Sequence, residues 1–441
     1  MTLVTCVDVG STYTKGLVVD THDGRLVASA AHPTTVATDV MTGVDAVCRA
    51  LANEIGLASG EGLGSPRLCS SAGGGLRVAV VGQEREVSAE AGRRVALSAG
   101  GRVVHVSAGP LDAGGVRGLR AATPDLVLLV GGTDGGNAEV LLHNAGRLAT
   151  ARITPPIVVA GNADASAEAS SLLAATGRRH VVTANVVPRI GDIAPEGARN
   201  AIRTAFLVHV IGGKGLSRGR TFADLVRAPT PDAVLRGVEV LAQVSGDVMV
   251  VDIGGATTDV YSVLTPVGED ASLRREVVGQ LWHARTVEAD LGMRWNAHGI
   301  VEAAERERIP ISAEAQAYAA RVAAHPDHLA RGADWTVESE LATAAATIAV
   351  RRHGRPLSPG EHPRPLADVG LVLGSGGVLR HSPEVVADQV LGTVIGDHGG
   401  GWRVPTRARM GVDGAYVLFA IGLLADDHPE AARALADQLA S

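Results

Sequence analysis

Cysteine, lysine, aromatic side chains and long apolar runs are all scarce in this chain of 441 residues, and each shortage excludes something. The three cysteines, Cys6, Cys48 and Cys69, contain no CxxC pair, which argues against a disulfide framework, a zinc knuckle or an iron–sulfur centre. Aromatics make up 2% of the residues, too few for an aromatic binding platform. A net charge of -7 argues against sequence-independent nucleic-acid binding, which needs basic faces to displace counterions. The apolar stretch Ala415 to Ala425 is too short to cross a bilayer, so no membrane partner is expected. The first residues, Met1 to Asp8, lack the basic start and long apolar core of a secretory signal. A soluble cytoplasmic protein is the expectation.

What is present is ordinary globular material. Hydrophobic residues make up 46% and charged residues 20%, and the 55 glycines call for many tight turns. The length exceeds that of a typical single compact domain, so two large domains or a duplicated unit is expected. Lysine occurs only at Lys15 and Lys214 although Lys and Arg together number 40. Where arginine fills nearly every cationic position, the two exceptions are candidates for sites that need a compact ammonium; chance retention is the other explanation.

The first thirty residues read as successive strands: Leu3–Val9, a turn at Gly10-Ser11-Thr12, Lys15–Asp20, a turn at His22-Asp23-Gly24, then Arg25–Ala30. The same layout returns with a strand at Asp247–Ile253, a turn at Gly254-Gly255-Ala256 and a strand at Thr258–Leu264. Another turn at Pro266–Asp270 and a third strand at Leu273–Val278 follow. Val7 to Thr14 and Val251 to Thr258 share an apolar-Asp-apolar-Gly core at an offset of 244 residues, which signals two similar domains rather than a solenoid. Between the repeats, short apolar strands (Asp125–Val130, Pro156–Ala160, His180–Asn185) alternate with helical spacing (Ala138–Ala149, Ala165–Thr176, Pro195–Val210), the pattern of βαβ units on a parallel sheet. Later come helices at Glu302–Arg321 and Glu338–Arg352, a surface loop at His353–Arg364 and a strand at Asp368–Leu373. A glycine turn, a helix from Pro383 and a final helix from near Asp413 close the chain. The division between halves is expected around Pro229–Gly246, giving domains 1–245 and 246–441 with an insertion around 100–215.

A turn of the form strand-Asp-x-Gly-[Ser/Gly]-Thr-strand has a definite chemistry. Its glycine lets backbone approach an anion, and successive N–H groups with the hydroxyls of Ser11, Thr12 and Thr14 can make a concavity for phosphate oxygens. A carboxylate at the strand end, Asp8 or Asp252, tolerates phosphate only across a cation, for which a hydrated Mg2+ is suited. Two such turns, each with one carboxylate, would clamp a polyphosphate, and Lys15 would add positive charge near the β/γ-phosphates. The glycine turn at Gly374-Ser375-Gly376-Gly377 suits an adenine and ribose site, although alone it reads as an ordinary strand-to-helix turn.

With these elements together, DVGSTYTK (8–15), VDIGGATTDV (251–260) and LGSGGV (373–378) resemble the two phosphate motifs and the adenosine motif of the actin, heat-shock chaperone and sugar-kinase superfamily. More narrowly, the chain resembles the MutL-type accessory proteins of glutamate (methylaspartate) mutase, which share only a name with the mismatch-repair ATPase. That likeness extends over essentially the whole chain. It includes SSAGGGL (70–76), LLVGGTDGGN (128–137) and Arg351-Arg352-His353 at a helix end. It implies an α/β fold of two actin-like ATPase (ribonuclease H-like) domains flanking a nucleotide cleft, with an inserted βαβ block in the N-terminal half. It also implies that Asp8 and Asp252 hold Mg2+ through water, that Gly10, Ser11, Thr12, Gly254, Gly255 and Thr257 line the phosphates of ATP, and that Gly374, Gly376 and Gly377 line the nucleoside. The implied activity is an ATP-dependent helper of an adenosylcobalamin mutase. It would release damaged cobalamin through a nucleotide-driven domain motion, with ATP and ADP as ligands and a homodimer left open.

Two other readings stand beside it. A small-molecule kinase of the same superfamily needs an acidic base in the cleft, for which Asp134 and Asp259 are the nominal choices; a nucleotide-binding assembly scaffold needs none. Asp134 is expected to cap the helix that begins near Ala138, the alternative being a third anion or metal contact. The scattered histidines show no HExxH or other paired spacing and are expected at packing or surface positions. The D-x-H-x-x-G signature of cobalamin-binding domains is absent, Asp397-His398-Gly399 lacking the intervening residue, so the chain is not expected to carry cobalamin itself.

Overall fold

Among the described residues three five-stranded sheets organise the chain, and two of them repeat one topology. The structure, a computed structural model, describes residues 2–57, 63–72, 75–211, 215–218, 221–265, 282–356, 363–401 and 403–441. The first sheet opens as an antiparallel meander of β1 (Leu3–Val9), β2 (Tyr13–Asp20) and β3 (Arg25–Pro33). A helix at Val40–Glu54 then crosses to β4 (Arg67–Ser70), which lies parallel to β1. That helix starts because the Asp39 carboxylate accepts from Met41 N at 2.9 Å, and it buries Val40, Val44, Val47 and Leu51 at helical spacing. It packs close over β2, where a Cβ on Gly16 would stand 3.0 Å from the Leu51 side chain.

The chain next builds a separate sheet of β5 (Leu76–Gly82), β6 (Gly101–Ala108), β7 (Leu126–Leu129), β8 (Ile157–Val159) and β9 (His180–Val182). All its pairs are parallel, in the order β6-β5-β7-β8-β9. Burial on both faces explains the continuous apolar runs LVLL and IVV of β7 and β8. This inserted βαβ block begins at Leu76, earlier than the neighbourhood of residue 100, because β5 and β6 belong to it. The chain returns to the first sheet with β10 (Val226–Pro229), parallel to β4, and that sheet reads β10-β4-β1-β2-β3.

The second repeat is β11 (Val248–Ile253), β12 (Thr258–Val263), β13 (His283–Glu288), β14 (Leu371–Ser375) and β15 (Arg409–Val412), ordered β13-β12-β11-β14-β15. As in the first sheet, three strands form an antiparallel meander, and the fourth and fifth run parallel to the first. Two sheets of this order, with helical crossovers and one inserted block, make the α/β, actin-like (ribonuclease H-like) architecture expected from sequence. By packing, the chain divides into one unit of residues through Arg236 with Phe419–Ala432, and another of Gly237–Pro266, Trp282–Leu418 and Arg433–Ser441. The division falls within the helix Thr230–Ser245.

Several local expectations need correction. The third strand of the second repeat is β13; Pro266–Asp270 and Leu273–Val278 lie outside the described residues. The helix expected at Glu302–Arg321 is two helices, Ala297–Arg306 and Ala313–Ala324. Arg308 takes a left-handed φ of 57° and Pro310 lacks an amide, so the first helix stops, and the Ser312 hydroxyl accepts from Ala315 N to start the second. Near the end, the apolar helix expected from near Asp413 is not the last, because Pro429–Ala440 follows it, and Asp413 stands just ahead of its start. The fully buried Asp413 carboxylate accepts from Val417 N at 2.7 Å and Leu418 N at 3.2 Å and so launches the helix Leu418–Leu424. Among the described residues no helix is long and apolar enough to cross a membrane.

Candidate functional site

Both hairpins close with the same four-residue turn. Gly10 N donates to Tyr13 O at 3.1 Å and Gly254 N to Thr257 O at 2.9 Å. The turns are too tight for larger residues at those positions, since a Cβ on Gly10 would lie 2.7 Å from Tyr13 O and one on Gly254 3.0 Å from Thr257 O. In register, Asp8 faces Lys15 and Asp252 faces Asp259.

The Asp8 side chain is 2% exposed, and its partners come from neighbouring strand ends. Thr230 Oγ1, just past β10, donates to Asp8 Oδ1 at 2.5 Å, and Cys69 Sγ on β4 donates to the same oxygen at 3.6 Å. Asp8 Oδ2 is directed toward the turn, 3.8 Å from where a Gly10 Cβ would stand. Burial pushes the Cys6 thiol up to about 12, and burial followed by the charge of Asp8 pushes Cys69 well above the usual thiol range. Both are therefore protonated packing groups rather than nucleophiles.

Around the first turn, Ser11 and Thr12 are exposed, with Ser11 Oγ donating to Ser71 O at 3.4 Å and Thr12 O accepting from Thr34 N at 2.8 Å. Lys15 is partly buried on β2. Thr14, expected beside the phosphates, is instead fully buried within the β1–β2 ladder, its hydroxyl bonded to Thr34 Oγ1 at 3.2 Å. Strand alternation explains the correction, because a residue inside the ladder has its side chain committed to one sheet face.

The second turn shows how a backbone anion site is built. Gly254 O accepts from Met293 N at 3.0 Å, Gly255 O from Arg294 N at 2.8 Å and Trp295 N at 3.0 Å, and Ala256 O from Asn296 Nδ2 at 3.3 Å. Among the described residues no cis peptide occurs, and in a trans peptide the carbonyl and the following N–H point opposite ways. With three consecutive carbonyls turned to one loop, the N–H groups of Gly255, Ala256 and Thr257 point away from it, and Gly255 and Ala256 are exposed. Successive outward N–H groups of this kind make a concavity for an anion. Thr257 Oγ1 donates to Asp259 Oδ2 at 2.7 Å, while Asp259 Oδ1 accepts from Arg285 Nε at 2.9 Å and Nη2 at 2.6 Å. Asp259, one of the two nominal kinase bases, is thus buried with both oxygens engaged.

The third motif joins this turn within the same unit. Asp252 pairs with Ser375, and Gly376 follows at φ 89°, where a Cβ would overlap the Ile253 carbonyl and sit 2.7 Å from Asp252 Oδ1. Gly377 is exposed with open space around its Cα. Gly374 does not belong with them: it is buried on β14, where a Cβ would lie 2.7 Å from Leu379 Cδ1 and 3.2 Å from Leu391 Cδ1. Its smallness serves the packing of two helices on the strand, and we correct its assignment to a nucleoside.

Asp134 does not cap the helix Glu139–Thr150. The Asn137 side chain accepts from Glu139 N at 2.7 Å, while Asp134 Oδ1 accepts from Ala163 N and Asn185 Nδ2, both at 2.9 Å. It ties the loops after β7, β8 and β9 together. Lys214 and the pair Gly73 and Gly74 of the SSAGGGL motif lie outside the described residues. Sequence reasoning also missed Thr230 and Arg294. For Thr230 a signal existed, since Thr-Pro-x-Ala after a strand is a helix start, but that stretch reads as a linker. For Arg294 no motif marks the position.

Among the described residues no group of three or more His, Cys, Asp or Glu side chains could ligate a metal directly. The donor set fits a hydrated Mg2+ better, since that ion keeps several waters and needs only one or two carboxylates. Asp8, with Oδ1 fixed by Thr230 and Oδ2 directed to the turn, is oriented for such a role.

The family model described as MutL protein matches residues 4–439. Protein MutL of Clostridium tetanomorphum is 33% identical over 452 aligned positions, covering 96% of this chain and 96% of that protein. Among solved structures, a nucleotide-free acetone carboxylase aligns over 96% of this chain and 70% of its own at 15% identity, with a TM-score of 0.41. The activator of the 2-hydroxyisocaproyl-CoA dehydratase from Clostridium difficile, with bound ADPNP, aligns over 97% of this chain and 95% of its own at 12% identity, with a TM-score of 0.35. At such scores neither structure carries an argument about fold or ligand; the fold rests on the sheet topology.

Proposed function

The chain belongs to the MutL protein family, and from that premise we propose that it is an ATP-dependent accessory protein that reactivates an adenosylcobalamin mutase of the glutamate (methylaspartate) type. The observation that carries the nucleotide half of this reading is the second turn, whose three carbonyls are bound from behind so that three consecutive N–H groups face outward. Phosphate oxygens are the natural acceptors for such a row. Gly255, Ala256 and Thr257 supply the N–H groups of this row and Gly254 closes the turn behind it, while Gly10, Ser11 and Thr12 are assigned to the equivalent turn of the first unit. Gly376 and Gly377 would border the nucleoside. Mg2+, when bound, would neutralise phosphate charge; Asp8 and Asp252 would orient its waters, and Lys15 would add a positive charge beside them.

The mutase half rests on family membership together with the inserted parallel sheet, a block larger than nucleotide binding requires. ATP and ADP would favour different conformations of the chain, and that difference would act on the client. A kinase reading gains little from the site, because Asp259 has both oxygens engaged by Arg285 and Thr257, and Asp134 has Oδ1 committed to Asn185 and Ala163 N.

The test is recovery of an inactivated adenosylcobalamin mutase, with ATP consumption followed in parallel, in the presence and absence of this chain. Recovery is expected only with the chain, ATP and Mg2+ together. Equal recovery without nucleotide would overturn the proposal.

A further inference from the structure

The two phosphate hairpins differ in what stands behind them. In the second unit, the loop Met293–Asn296 supplies every donor that turns the carbonyls of Gly254, Gly255 and Ala256. It approaches so closely that a Cβ on Gly292 would sit 2.8 Å from Ala256 Cα. This loop belongs to no strand or helix, so something must hold it, and its anchor is Arg294. The guanidinium spends its donors in three directions: Nε to His328 O at 2.9 Å, Nη1 to Met293 O at 2.8 Å, and Nη2 to Glu338 Oε1 at 2.7 Å. Glu338 is fully buried, and its second oxygen accepts from the Tyr318 hydroxyl. Burial, followed by Glu338, holds that hydroxyl protonated well above its usual range, so it stays a donor.

A buried ion pair adds little net stability compared with apolar packing, and removing one partner strands the other charge. Its effect here is geometric. Arginine's planar fork fixes the loop from three sides, whereas a lysine could reach one acceptor at a time. We propose that Arg294 and Glu338 are positioning residues for the second phosphate turn: the pair touches no ligand, yet it holds Met293–Asn296 so that the Gly255, Ala256 and Thr257 N–H groups stay aimed at phosphate. This rests on the phosphate reading of that turn. Preorganised N–H groups bind an anion without first paying to reorient, so affinity depends on a contact remote from the ligand.

Trp295 supplies a reporter. Its N–H shares the Gly255 carbonyl with Arg294, and its side chain is 58% exposed. A ligand that tightens the turn would alter this indole's surroundings.

The experiment titrates the full chain with ADP and Mg2+ by calorimetry and by tryptophan emission. Wild type is expected to bind, with an emission change that Trp295→Phe removes. Glu338→Gln, nearly isosteric, is expected to weaken ADP binding at least tenfold and to lose the emission change even at saturating ADP. Arg294→Lys, which keeps the charge, should fall between the two. Glu340→Gln is the structural control, because Glu340 caps the same helical layer through Ser312 Oγ at 2.6 Å without reaching the turn; its ADP affinity should stay within twofold of wild type. Unchanged affinity and emission in Glu338→Gln, or an equal loss in Glu340→Gln, would overturn the proposal. Failure of the wild-type chain to bind ADP at all would sink the phosphate reading, and this inference with it.

Discussion

Because the Asp8 side chain is nearly sealed from solvent, the groups touching its carboxylate decide whether it can remain charged there. One of those contacts is the Thr230 hydroxyl at 2.5 Å. A hydrogen bond to a charged group contributes about 1.5–3 kcal/mol, and a buried carboxylate left short of a donor forfeits that amount. Thr230→Val keeps the shape and removes the donor. It is expected to lower unfolding free energy by about 1–3 kcal/mol in denaturant titration, with Thr230→Ser restoring most of the loss. An unchanged midpoint in the valine variant would show that another group holds the carboxylate. Asp8 and Gly10 were legible because their motif is eight residues of local sequence, whereas Thr230 sits 222 positions away and only the β10–β4–β1 order brings it near. Thr14 and Gly374 were misassigned for the converse reason. Both lie inside legible motifs, but a motif names residues without saying which face of a strand they take, and the sheet turns both toward packing.

Among elements, hairpins declared themselves and breaks did not. β1 and β2, like β11 and β12, are apolar runs joined by glycine turns, a pattern with one reading. The double helix at Ala297–Arg306 and Ala313–Ala324 read as one because Pro310 sits in a stretch whose charge pattern continues across it. The helix Asp334–Gly354 was visible from its alanine-rich spacing, but not the consequence of its last turn. There His353 is buried, with Nδ1 beside Thr286 Oγ1 at 2.9 Å and Nε2 beside Ser262 Oγ at 2.8 Å. Burial, reinforced by the positive Arg364, holds its pKa well below the ordinary 6.5. The folded state therefore resists a proton that the unfolded chain accepts. The stability so contributed is whole above the unfolded pKa near 6.5 and falls as pH drops toward the folded value. Unfolding midpoints of wild type are expected to decline between pH 7 and pH 5 more steeply than those of His353→Gln, which cannot titrate. Parallel declines would show that other groups carry the acid sensitivity.

At the scale of the whole molecule, the repeat at an offset of 244 residues announced the duplication, and two sheets of identical order bear it out. The inserted block was harder to delimit, because β5 and β6 follow β4 with only a few residues between elements and nothing in composition marks where one sheet stops feeding the next. Duplication carries a testable demand: if each unit has its own phosphate turn, as proposed, stabilisation by nucleotide depends on Asp8 and on Asp252. A ligand that binds only the folded state at one hundred times its Kd adds about 2.7 kcal/mol to unfolding free energy. We expect that gain for wild type with ATP and Mg2+, and its disappearance in Asp8→Ala and in Asp252→Ala taken singly. Each measurement is a melt with and without nucleotide, so the variant's own destabilisation cancels. A full shift surviving Asp8→Ala would overturn the assignment of Asp8 and the first turn to the nucleotide.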